Sequence, residues 1–109
     1  MAVSAEAVVL KVEDARRAAG FWTAALGYEA EEESPDFLVP PQGNGVRIHL
    51  DERDRTHLDL WLDRSTSDLD TEVERLIALG ARRVEWTYPD DADFVVLADT
   101  EGNLFCVIA

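Results

Sequence analysis

The sequence predicts one α+β domain built from two tandem βαβββ halves, and three observations carry that expectation. Short β-branched runs and two helical stretches follow the order strand, helix, Leu-Gly, three strands, and that order occurs twice. The dipeptides Leu26-Gly27 and Leu79-Gly80 stand roughly half a chain length apart, as an internal duplication requires. A length of 109 residues with 47 % hydrophobic content fits a single domain with a modest core. The domain is expected to span 1–109, with one half at about 6–51 and the other at about 56–109. Two copies are too few for a solenoid, so the halves pack together or exchange between chains.

The elements follow in order. Ala7 to Val12 is β-branched, short, and stops at Glu13-Asp14, which reads as a strand. Asp14 is a good N-cap for a helix running to about Leu26. In it Ala15, Ala18, Ala19, Trp22, Ala25 and Leu26 make one stripe expected to be buried, and Gly27 closes the helix. Tyr28 to Ser34, Phe37 to Val39 and Val46 to Leu50 read as three strands, separated by Ser-Pro-Asp and by the turn-rich run from Pro40 to Gly45. The second half opens with Thr56 to Leu62, in clean alternation. A loop and cap from Arg64 to Asp68 lead into a helix with Leu69, Val73, Leu76 and Ile77 on one face. Arg83 to Tyr88, Phe94 to Ala98 and Leu104 to Ile108 complete the strands, and Asp99 to Asn103 makes the last turn.

Composition narrows the function. The net charge of −13, from 23 acids against 10 bases, repels a phosphate backbone and an anionic membrane surface, so nucleic acid and membrane are excluded as partners. The acidic run Glu29, Glu31, Glu32 and Glu33 reads as a solvated strand edge. Cys106 is the single cysteine, so no intrachain disulfide is expected. The start lacks the basic region of a signal peptide and the apolar runs are too short to span a bilayer, which makes a cytoplasmic location the default expectation. There is no nucleophile-elbow pattern and no phosphate-binding glycine loop, since Gly43-Asn44-Gly45 is only a turn.

Several motifs carry a family resemblance. Ala7-Val-Val-Leu-Lys-Val-Glu-Asp14, Ala18-Ala-Gly-Phe-Trp22 and Ala25-Leu-Gly-Tyr28 resemble the opening of glyoxalase/bleomycin-resistance/dioxygenase proteins, the vicinal oxygen chelate superfamily. His57-Leu-Asp-Leu-Trp61, Leu76-Ile-Ala-Leu-Gly-Ala81 and the run Leu97 to Cys106 resemble the second half of an actinobacterial glyoxalase-like subgroup. The resemblance runs from about residue 7 to 109. It implies a curved sheet per half, a helix outside, a cleft inside, and a homodimer. Enzymes of the superfamily usually hold a divalent metal in the cleft through four ligands, typically His, Gln or Glu. Relatives without the metal bind drugs or other small molecules.

Alternation along the strands sorts the cleft. Val8, Leu10 and Val12 oppose Ala7, Val9 and Lys11; Val46, Ile48 and Leu50 oppose Arg47, His49 and Asp51. Leu58, Leu60 and Leu62 oppose His57, Asp59 and Trp61; Phe105 and Val107 oppose Leu104, Cys106 and Ile108. The wholly apolar sets are expected beneath the helices and the mixed sets in the cleft. Trp61 and Trp86 are candidates for stacking a flat ligand, with Tyr88 on the side of Trp86, whereas Trp22 reads as core. Asp59 stands where it can orient His57 or meet Arg47.

The metal positions implied by the resemblance fall on Ala7, on His57, on Cys106 and near His49. Ala7 cannot bind metal and Cys106 replaces the usual Glu, so the tetrad is broken and an ordinary glyoxalase I is disfavoured. His57 reads as a sheet hydrogen-bonder or a ligand contact, His49 as a rim histidine, Cys106 as a small buried hydrophobe. The expectation is therefore a small-molecule-binding protein with no cofactor, using Lys11, Arg47, His49, His57, Asp59, Trp61, Trp86 and Cys106. The alternative is a metal-dependent lyase, isomerase or dioxygenase with His49, His57 and Cys106 as three ligands of a zinc-type site. A non-catalytic regulatory module is the third reading.

Overall fold

The computed structural model describes residues 2–43 and 45–109. Met1 and the turn residue Asn44 lie outside the described residues. The order of elements is β1 (Val3–Lys11), α1 (Ala15–Leu26), β2 (Glu29–Ala30), β3 (Phe37–Val39), β4 (Arg47–Asp51), β5 (His57–Leu62), α2 (Leu69–Ala78), β6 (Arg82–Arg83), β7 (Phe94–Ala98) and β8 (Leu104–Ile108). This mixed α+β chain repeats the βαβββ order. It divides into two compact units, one of Glu6–Thr56 and one of His57–Ala109 with residues 2–5.

In the unit Glu6–Thr56 the strand order is β2-β3-β4-β1. β1 and β4 are parallel, with Val9 opposite His49 and Leu10 opposite Leu50. β3 is antiparallel to both β2 and β4. Register partners share a face, so Leu38, Ile48, Leu10 and Leu50 lie together, and Leu38 and Leu50 are fully buried. α1 starts where the Asp14 carboxylate accepts the Arg17 N–H at 3.0 Å, satisfying one of the helix's orphan donors. Glu52 accepts a second, from Ala15 at 2.9 Å. The helix ends at Gly27, whose φ of 70° is left-handed and whose N–H donates to Thr23.

In the other unit the order is β5-β8-β7-β6, with β5 parallel to β8 and the rest antiparallel. Asp68 caps α2 by accepting the Thr71 N–H at 2.8 Å. That bond holds the Asp68 carboxyl below its usual range. Val73 of α2 packs on Leu97 and Val107, and Leu69, Leu76, Ile77, Val95, Phe105 and Val3 surround them. The last turn is built on Asp99, whose carboxylate accepts the N–H groups of Glu101 and Asn103 at 2.8 Å and the Asn103 amide at 3.0 Å. These bonds, the Asn103 side chain's first, lower its pKa.

Glu72 is the only fully buried charged side chain among the described residues. It accepts the Ala2 N–H at 3.0 Å and pairs with the Arg75 guanidinium at 3.1 Å. Hydrogen bonding from Arg75 is the largest influence holding its carboxyl below the usual range. The Ala2 carbonyl accepts the Asp63 N–H at 2.7 Å. These contacts explain why the first strand begins at Val3, well before the expected Ala7, and why residues 2–5 belong with the second half of the sequence.

Three other expectations are corrected. The strand expected over 28–34 shortens to Glu29–Ala30, and that over 83–88 to Arg82–Arg83. In the first, consecutive glutamates favour solvent over a ladder. In the second, the Tyr88 hydroxyl takes the Val96 N–H at 2.8 Å, where a continuing strand would have placed a carbonyl. The stripe of α1 is shallower than expected: Ala15, Ala18, Ala19 and Trp22 are half-buried, while Ala25 and Leu26 are exposed. The two-residue β2 offers little surface to that end of the helix.

Candidate functional site: a histidine, an aspartate and a cysteine on two adjacent strands

The faces of the β5-β8-β7 ladder separate as the alternation requires. Leu60, Val107, Val95, Leu97 and Phe105 share one side by register, and α2 packs on it. Asp59 pairs directly with Cys106, and Cys106 with Val96, which puts these residues on the opposite side together with His57 and Trp61.

On that side β5 brings His57 and Asp59 together because they stand two residues apart on one strand. The imidazole Nε2 lies 3.3 Å from the Asp59 Oδ1, and each side chain keeps 14 % of its surface exposed. The Cys106 thiol is contributed by β8, directly opposite Asp59, and is half-buried. One donor atom from each of the three residues lies within 4.8 Å of the other two. The arrangement offers a nitrogen, a carboxylate oxygen and a sulfur at one partly accessible point. Trp61, 43 % exposed, extends the same face towards Ile108, its register partner.

The remaining candidates are placed as follows. His49 lies in the unit Glu6–Thr56, its ring stacked on Phe37 with centroids 4.0 Å apart and planes 9° from parallel. The guanidinium of Arg47 stands over the same Phe37 ring at 5.9 Å and meets Glu31 at 3.4 Å, so that glutamate is less purely solvated than its run implies. The Lys11 ammonium donates to the Glu52 carbonyl at 2.9 Å. Ala7 and Val9, the shortest side chains of their mixed set, are buried, against the expectation of an open cleft face there. A half-open depression of about 360 Å³ in this unit is lined by His49, Asp36, Asp51 and Glu52 among others. Trp86 sits on the irregular segment after β6, 43 % exposed, and lines an open hollow with Val84, Glu85 and Thr87. Tyr88 turns to Phe94, with ring centroids 5.4 Å apart.

Sequence reasoning placed His57, Asp59 and Cys106 among the cleft residues but did not pair Asp59 with Cys106. The signal for Asp59 is its register opposite Cys106, which depends on strand pairing.

Residues 7–108 match the glyoxalase-like domain family. The chain belongs to that family. Membership places it in the vicinal oxygen chelate superfamily and accounts for the repeated βαβββ order. Among proteins of curated function, none matches this sequence. No helix among the described residues is long and apolar enough to cross a membrane.

The superfamily's usual metal can be tested against these residues. Ala7, where the resemblance sets the first ligand, has only a methyl group and is 2 % exposed, so it offers no donor to the usual four-ligand set. A three-donor set does gather at His57, Asp59 and Cys106.

Proposed function

We propose that this glyoxalase-like protein binds a small organic molecule on the sheet face that carries His57, Asp59, Trp61 and Cys106. The observation that supports the reading is the gathering of His57, Asp59 and Cys106 within 4.8 Å on the side of β5 and β8 away from α2. A ligand there meets a carboxylate acceptor, an imidazole and a thiol. An exposed indole stands on the same face to stack against a flat ring. A homodimer belongs to this proposal as well.

The test is binding of a panel of small aromatic and carbonyl compounds by chelator-treated protein, read by tryptophan fluorescence. The chain has three tryptophans. A Trp61→Phe variant is expected to lose the ligand-dependent quench, and an Asp59→Ala variant to weaken binding by about tenfold, the loss of one charge-assisted hydrogen bond. Compounds that bind both variants as tightly as the parent would remove this face from consideration.

The second reading is a metal-dependent lyase, isomerase or dioxygenase. What supports it is that donor atoms of His57, Asp59 and Cys106 lie within 4.8 Å of one another. When bound, a divalent metal would supply Lewis acidity toward a carbonyl or enolate oxygen. The chain's own part would be to hold that oxygen beside Trp61.

A further inference from the structure

We propose that the outward face of α1 is an interface between two copies of this chain, with the two α1 helices packed antiparallel about a twofold axis. This interface is the surface that would make the homodimer proposed above, and it rests on that reading.

The repeated order of elements supplies an internal comparison. α2 presents Asp70, Thr71 and Glu74 to solvent, as a solvated helix does. α1 holds the same place in its own half, yet its exposed side carries Gly20, Phe21 and Ala24. Phe21 keeps 62 % of its surface open. With Arg17 these residues stand three and four apart and so share one helix face. Nothing inside the chain calls for glycine at position 20. It lies mid-helix, where only proline is a poorer helix former, and a Cβ added there would meet nothing within 4 Å. A second helix laid across this face would use that space, since small residues at the contact let two helices approach to about 8 Å.

The charges of α1 name the occupant. α2 has Asp70 and Glu72 in its first turn and Arg75 in its last, the arrangement that its macrodipole favours. α1 has no acid in its first turn and no base in its last. Arg16 and Arg17 stand at its positive end instead. Arg17 is three residues after the cap Asp14, where glutamate would complete a capping box, and its guanidinium reaches the Asp14 carboxylate only at 4.0 Å. Just past the negative end of the helix stands the exposed Glu29. An antiparallel pairing that sets Phe21 against the partner's Ala24 sets Arg16 and Arg17 beside the partner's Glu29. Large then meets small, each basic end meets the partner's negative helix end, and the twofold makes every contact twice. The ordinary alternative is an apolar helix face left in water, on a monomer or on a dimer made elsewhere.

Sedimentation equilibrium of the full chain, from about 1 μM to about 1 mM, separates these. The expected result is a dimer whose population rises with concentration. Phe21→Glu is expected to weaken it at least about tenfold, the loss of a central aromatic anchor. Arg17→Glu and Glu29→Arg are each expected to weaken it at least about threefold. Their combination, which keeps the net charge at −13, is expected to recover the parent's association. Arg17→Glu also carries a readout of opposite sign. The melting temperature of its dilute monomer is expected to hold or rise, because α1 gains a first-turn acid, so a weaker dimer cannot be laid to a failure to fold. A dimer that Phe21→Glu leaves intact, or charge reversals whose combination does not recover association, would overturn the α1 interface and leave the homodimer reading standing. A monomer at every concentration would remove both. Neither result touches ligand binding at the His57, Asp59 and Cys106 face.

Discussion

Replacing Glu72 tests how the start of the chain is fastened. Its buried carboxylate receives the Ala2 N–H at 3.0 Å and the Arg75 guanidinium at 3.1 Å. Glu72→Ala removes both bonds. Arg75 is 30 % exposed and recovers water, so its loss is discounted; Ala2 is buried, and its N–H is left without the carboxylate. An unpaired buried donor costs about 1–3 kcal/mol and a charge-assisted bond about 1.5–3 kcal/mol, giving a loss of roughly 2–4 kcal/mol after the Arg75 discount. Glu72→Gln keeps an acceptor for Ala2 and loses the ionic part, so about 1–2 kcal/mol is expected. The pH dependence has a definite sign. The folded pKa lies below the ordinary 4.5, so the contribution is present above that value and is lost as pH falls through the folded pKa. The gap between parent and Glu72→Gln is therefore expected to narrow in acid. Urea denaturation followed by circular dichroism, repeated from pH 7 downward, measures all three. If Glu72→Ala stays within about 0.5 kcal/mol of the parent at pH 7, the fastening argument is wrong.

Other perturbations have equally definite outcomes. Leu97→Ala, at a fully buried site against Val73 and Val107, is expected to cost about 2–5 kcal/mol in urea midpoint analysis, and a surface-like change of under about 0.5 kcal/mol would contradict the assigned core. At Gly80 the φ is 122° and an added Cβ would lie 2.9 Å from the Thr100 methyl, whereas at Gly27 the φ is 70° and the space is open. Gly80→Ala should therefore lower the melting temperature more than Gly27→Ala, and the reverse order would show that the close approach to Thr100 is relieved without cost. Asp68 has a folded pKa lowered by its bonds to Thr71, so its stabilisation of α2 is present above the ordinary carboxylate range and fades as pH falls through the folded value. An Asp68→Asn variant should show a shallower acid loss of melting temperature, and acid limbs that run parallel in the two proteins would contradict this.

Much of the architecture was legible because local chemistry decides it. Asp14 and Asp68 cap the helices, and Phe37–Val39, Phe94–Ala98 and Leu104–Ile108 form strands over the residues their alternation marks. The duplication gave the βαβββ order without any contact information. Where long-range contacts decide, the sequence was silent. Val3 to Glu6 join β1 because Glu72 and Asp63, far along the chain, hold Ala2, and no local pattern announces a carboxylate buried for that purpose. The segment after Arg83 reads as strand from Val84, Trp86 and Tyr88, yet the Tyr88 hydroxyl occupies the edge of β7 instead. The candidate site divides in the same way. His57, Asp59 and Cys106 were visible as cleft candidates from their strand alternation. The role of Asp59 emerges from the β5–β8 register, which sets it opposite the thiol and beside the imidazole.

The most direct test of the account follows the two histidines, His49 and His57, by their imidazole resonances while small aromatic and carbonyl ligands are added to the chelator-treated chain. The ring signals are assigned with His49→Gln and His57→Gln variants. The account expects a ligand whose binding shifts the His57 signals in a saturable way and whose affinity falls in Asp59→Ala. Ligands that bind and shift only His49, or leave both rings unmoved, would contradict the assignment of function to the His57, Asp59 and Cys106 face.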